Sequence, residues 1–212
     1  MNLDEISSDI RRRLDERMEA RERALPAARR AIRSCANAIR AIHRAEWELA
    51  HRLMDEAKLA IQEGLEAVRD HPEIRYAGYL QDAQKEYAEA RITEAVVTGA
   101  ASLPTPEELG VEEAPYLNGM AEAIGEARRS ILDLLRHGEV DRGEAILSAM
   151  DEMYYVLVSM DYPDAITLNL RRSTDVARSL IEKTRGDLSI AIVQRQLREA
   201  IDRHARDVLG GS

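Results

Sequence analysis

The chain has 212 residues, 45% hydrophobic and 33% charged, with a net charge of −9. At roughly 100–200 residues per domain this is one domain or two small ones, and the balance excludes disorder. Phe is absent, Trp occurs once and Cys once, at Cys35, which excludes an intramolecular disulfide and a multi-thiolate zinc site and fits a reducing, cytoplasmic setting.

Apolar residues recur near every 3.6 positions almost throughout, and Ala, Leu, Arg and Glu dominate, so the expected fold is all-α. The first helix is expected over about Leu3 to Leu25, with Pro26 marking a kink or a fresh first turn. From Leu25 the pattern Ala28, Ile32, Cys35, Ile39, Ile42 continues through Leu49, Leu53 and Leu59 towards Val68. No Gly or Pro interrupts it before Gly64, which predicts one very long helix ended by Asp70-His71-Pro72.

Further helices are predicted over Pro72 to Gly99, Pro115 to Arg136, Glu139 to Met160, Pro163 to Lys183 and Asp187 to Val208, with 99–113 the longest irregular connection. Turn residues at 99–106, His137-Gly138 and Gly186-Asp187 separate them, and residues 210–212 read as a frayed tail. The expectation is a single domain over 1–212, a bundle of about seven antiparallel helices. No apolar run approaches the length of a bilayer span, and the charged N-terminus lacks the apolar core of a signal peptide.

Charge is segregated along the chain. Residues 20–44 carry seven Arg and one Glu, whereas residues 71–126 carry three basic and eleven acidic residues. In the basic stretch Arg29, Arg33, Arg40 and Arg44 fall in one narrow sector of a helix, with Arg30 and Asn37 at its edge. Arginine forks suit phosphate, so the stripe fits a sequence-tolerant grip on a nucleic-acid backbone, or a salt-bridged face.

In the acidic stretch Glu86 and Glu89, at i and i+3, share a helix face, with Asp82 one turn earlier and Thr93 one turn later. Glu122 and Glu126 pair at i and i+4 on another helix, opposite the stripe Leu117, Met120, Ile124, Ile131 and Leu135. Gly119 and Gly125 are costly inside a helix and point to close approach of a backbone or ligand. If the two helices lie side by side, four carboxylates face one another. Oxygen-only donors suit Mg²⁺, with Mn²⁺ an alternative, and carboxylate-held ions support phosphodiester hydrolysis. On spacing alone such glutamates equally coat a solvated face.

Other features carry less. Glu48-Leu-Ala-His51 is one half of a di-metal Glu-x-x-His motif without a second copy. His43 and His51 read as packing or polar-face residues, Cys35 as a small core residue, and Tyr154-Tyr155 with Met150, Met153 and Met160 as core or subunit interface.

Taken in order, Gln84-Lys-Glu86-Tyr-Ala-Glu89-Ala90, Tyr116-Leu-Asn-Gly-Met-Ala-Glu-Ala-Ile-Gly-Glu126, the Gly138-Glu-Val-Asp141 turn and the Arg-rich stretch ending in Ile42-His-Arg44 resemble the translin family. The resemblance is greatest to its catalytic branch, the translin-associated factor X (TRAX) proteins, and covers nearly the whole chain. It implies a seven-helix α fold assembled into a hollow octamer, here a homo-oligomer. It further implies Mg²⁺-dependent cleavage of single-stranded RNA at Glu86, Glu89, Glu122 and Glu126. The Arg stripe would correspond to the basic RNA-binding face, with single-stranded DNA as a possible second ligand. A non-catalytic, translin-like binding role is the alternative. The family pattern has Asp where this chain has Glu122, a difference of one methylene in ligand reach.

Overall fold

In a computed structural model of the chain, residues 2–210 are described, with side chains through residue 207. Among the described residues there is no strand. Six long helices carry the fold: α1 (Leu3–His43), α2 (Trp47–Ala67), α4 (Tyr79–Thr98), α6 (Glu113–Arg136), α7 (Val140–Ser159) and α9 (Leu170–Gly210). Three single turns, α3 (Pro72–Arg75), α5 (Pro106–Leu109) and α8 (Asp164–Thr167), lie in the connections. The all-α expectation holds. No described helix is long and apolar enough to cross a membrane.

The first layer is built on alanine. Ala20, Ala24, Ala27, Ala28, Ala31, Ala38 and Ala41 line the buried side of α1, and small side chains let neighbouring helices approach closely. α2 runs back antiparallel to α1, and the ion pairs Arg30–Glu63 and Arg17–Glu73 tie α1 to α2 and to α3. α4 also packs on α1, and α6 lies across the other side of α4. α7 and α9 complete the bundle against α6, held in antiparallel register by Arg185–Asp151 and Arg195–Asp141.

Several boundaries differ from those the sequence predicts. Pro26 neither ends nor restarts α1, which runs through it to His43. Pro26 is exposed, so the carbonyl it leaves unbonded faces water and the helix tolerates the loss. The break falls instead at Arg44–Glu46, where Ala45 takes a left-handed conformation with φ 55°, a geometry that its residue type does not advertise. Gly64 lies inside α2, under the Leu80 side chain. The predicted helices over 163–183 and 187–208 are divided elsewhere. α8 stops at Thr167, Leu168 and Asn169 turn left-handed, and α9 then runs unbroken through Gly186. Asn118 on α6 pins that corner, donating from Nδ2 to the Thr167 carbonyl at 2.8 Å and accepting from the Ser173 hydroxyl at 2.9 Å. Of the predicted frayed tail, Gly210 belongs to α9, and Gly211 and Ser212 lie outside the described residues.

Candidate active site

α4 is buried nearly all round. Leu80, Ala83, Tyr87 and Ala90 are in the core, and so are Gln84, Glu89 and Thr93. The Glu86–Glu89 face is therefore not a solvated one: it is covered by α6. The helices cross at Gly119, where a Cβ would stand 2.6 Å from the Lys85 carbonyl oxygen and 2.9 Å from the Glu89 backbone nitrogen. Only glycine permits that contact, and it sets Glu122, one turn further along α6, over the acidic face of α4. Gly125 meets only Leu180, at an ordinary 3.7 Å, so the close approach expected of both glycines belongs to Gly119.

The crossing brings three of the four predicted carboxylates together. Glu86, Glu89 and Glu122 each offer an oxygen within 4.8 Å of the others. Glu89 is 8% exposed. Burial, with the nearby charges of Glu86, Glu122 and Glu126, pushes its carboxyl up to about 8. Burial likewise raises Glu86. Lys85 reaches over from α4 and places its Nζ 2.7 Å from Glu122 and 3.3 Å from Glu86. Burial works to lower the Lys85 ammonium, but its hydrogen bond and charge pairing with Glu122 and Glu86 hold it above the ordinary lysine range.

The fourth carboxylate stands at the edge of this group. Glu126 accepts from His43 Nε2, a ring buried at the end of α1. The hydrogen bond to His43 holds the Glu126 carboxyl below its ordinary value against the opposing effect of burial. The Ser130 hydroxyl lies 3.3 Å from His43 Nδ1. If Ser130 donates there, the ring is the neutral tautomer with its Nε2–H on Glu126. The order serine–histidine–glutamate matches that of a hydrolytic triad, but Ser130 is buried, so its hydroxyl serves to orient the ring and not to attack.

These donors fit a hard divalent cation. The set is all oxygen, and it crowds like charge that a cation would relieve. The fully buried Thr93 hydroxyl, one turn beyond Glu89, has no hydrogen-bond partner among the described residues.

The five arginines separate into two kinds. All are exposed. Arg30 is committed to Glu63 and Arg44 to Glu46. Arg40 bonds only Asn37, and Arg29 and Arg33 have no carboxylate partner among the described residues. His43 is about 60° round the α1 axis from Arg40, so the last turn of α1 joins the stripe to the acid cluster. Lys85, His43 and Ser130 are the site's residues that spacing did not single out. The available signals were a lysine directly preceding Glu86 and a histidine at the border of an apolar face.

The remaining candidates lie apart. His51 pairs with Glu94 across α2 and α4. Cys35 is buried next to Glu86 and Glu89, and burial above all raises its thiol. It is a core residue, as its spacing suggests. Tyr154 is half-buried and Tyr155 is 72% exposed.

An all-α bundle with an oxygen-only acid cluster between two crossing helices and an arginine stripe beside it defines a narrow class. No family model matches the chain. An uncharacterised protein of Methanocaldococcus jannaschii, MJ0175, is 31% identical over 188 residues, covering 86% of this chain and 81% of that protein. Two solved structures of a C3PO from Archaeoglobus, one of them a complex with duplex RNA, are 32–33% identical. They cover 92% of this chain and 99–100% of theirs, with TM-scores of 0.79 and 0.82. A Nematostella C3PO, 19% identical with a TM-score of 0.73, shares the fold. The chain belongs to the C3PO family of translin/TRAX-type proteins.

Proposed function

We propose that this protein is an Mg²⁺-dependent endoribonuclease of the TRAX type, acting as a single-domain chain in a cytoplasmic homo-oligomer. The observation that carries the reading is the convergence of Glu86, Glu89 and Glu122 within 4.8 Å of one another where α6 crosses α4. The C3PO relatives support it, one having been solved with RNA.

In this reading Glu86, Glu89 and Glu122 hold the ion, with Mn²⁺ as an acceptable substitute. When bound, the metal supplies Lewis-acid stabilisation of phosphate charge and a water acidified to near neutrality. Glu126, ionised and oriented by His43, accepts a proton at the cluster's edge. Arg29, Arg33 and Arg40 grip the phosphate backbone, with Arg30 and Arg44 joining once released from Glu63 and Glu46. The substrate is single-stranded RNA by resemblance to the factor X proteins. Single-stranded DNA is a possible second ligand.

The test is cleavage of labelled single-stranded and duplex RNA by the purified protein with Mg²⁺, Mn²⁺ or EDTA, beside Glu122→Ala and Glu126→Ala. The reading expects metal-dependent cutting of the single strand, reduced at least 100-fold in both variants. RNA binding without cutting in any condition would replace it with a translin-like binding role.

A further inference from the structure

Among the described residues, Lys85 is the one lysine or arginine whose charged group touches two members of the acid cluster. Its ammonium bridges Glu122 at 2.7 Å and Glu86 at 3.3 Å, and its side chain remains 23% exposed. Glu89, behind them, receives no such partner. Arg129 approaches only Glu126, from outside, at 3.9 Å. Lys85 engages two of the carboxylates that a divalent ion would use, and two cations at one pair of carboxylates repel each other. A divalent ion and the bridging ammonium therefore compete.

Building on the metal site proposed above, we infer that Lys85 is a tethered counter-ion of the active site. It closes the Glu86–Glu122 gap in the metal-free protein, is displaced when a divalent ion is bound, and then contacts the phosphate of the RNA. Lysine suits this exchange. Its ammonium is a compact point charge on a flexible four-carbon stem, which binds carboxylate or phosphate without demanding planar geometry. With Glu86 and Glu122 neutralised, the ammonium at the cluster's margin is free to meet a bound phosphodiester, in competition with Asp82 one turn earlier on α4.

Two titrations test this at fixed ionic strength, which RNA affinity requires. Mn²⁺ binding is measured by calorimetry for the unaltered protein, Lys85→Met, Lys85→Arg and Glu89→Gln. Binding of 2′-O-methyl RNA, which resists cleavage, is measured in EDTA and in Mn²⁺. Lys85→Met is expected to bind Mn²⁺ at least 10-fold more tightly and Lys85→Arg to stay within about 3-fold of the unaltered protein. Lys85→Met is also expected to lose RNA affinity by at least 3-fold in Mn²⁺ but not in EDTA. Should Lys85→Met fail to fold, Lys85→Gln carries the same expectations.

Unchanged or weaker Mn²⁺ binding on removing the ammonium would overturn the displacement while leaving the metal site standing. An equal RNA loss in both media would overturn the release onto phosphate. No Mn²⁺ binding by any form, or binding indifferent to Glu89→Gln, would overturn the metal reading and this inference with it.

Discussion

Glu89 sits between two other carboxylates on a helix covered on both sides, and its protonation links the site to the stability of the fold. Its carboxyl is raised from an ordinary 4.5 to about 8, so between those values the folded state holds a proton that the unfolded state has released. Stability from this group is whole below about pH 4.5 and declines as pH rises to about 8, beyond which the full penalty stands. The loss is on the order of a few kcal/mol. Glu89→Gln, which removes the titration, should therefore be more stable than the unaltered metal-free protein at pH 8.5 and show a flatter profile between pH 5 and 8.5 in urea melts with EDTA. A parallel decline in both proteins would contradict the assignment. His43 acts through Glu126. His43→Leu should lower turnover roughly 10–100-fold, with partial recovery in His43→Gln, whose amide keeps a donor towards the carboxylate. Equal losses in both would mean that His43 matters only for packing.

The crossing of α4 and α6 depends on Gly119, not on Gly125. Gly119→Ala drives a methyl into the α4 backbone and should cost about 1–3 kcal/mol, while separating Glu122 from Glu86 and weakening Mn²⁺ binding. Gly125→Ala and Gly186→Ala, in open helical positions, should be neutral or stabilising by up to about 1 kcal/mol. Thermal melts of the three variants separate these cases. Much of this scale was legible in the sequence. The i, i+3 and i, i+4 glutamate pairs lay on definable faces, and the two odd glycines announced a close approach. Which glycine is needed was not legible, because that depends on the height at which two helices cross. Nor was the turn at Arg44–Glu46, since Ala45 reaches a left-handed φ without Gly or Asn to signal it. Gly186 misled in the other direction: a helix packed along much of its length overrides the preference of one residue. Lys85 and His43 stayed unassigned because their partners, Glu122 and Glu126, lie on a different helix from either.

At the scale of the molecule, α1 and α9 carry apolar stripes that the chain itself leaves uncovered. Leu3, Ile6, Ile10, Leu14 and Met18 are all about half-exposed on α1, as are Ile190, Val193, Leu197 and Ile201 on α9. Heptad-like spacing of this kind suits helix pairing, and in the proposed homo-oligomer these stripes are the surfaces available to bury. Ile10→Glu with Leu14→Glu, or Val193→Glu with Leu197→Glu, should lower the mass measured by light scattering at micromolar concentration while leaving the helical content unchanged. An unaltered mass in both double variants would exclude both stripes from assembly. Anomalous X-ray scattering from crystals grown with Mn²⁺ measures directly whether a metal sits where α6 crosses α4. The expected result is a peak bounded by Glu86, Glu89 and Glu122, with Lys85 withdrawn from Glu122 and Glu126 still on His43. Full Mn²⁺-dependent cleavage in solution, with no peak at the crossing or with the ion bound at other residues, would contradict it.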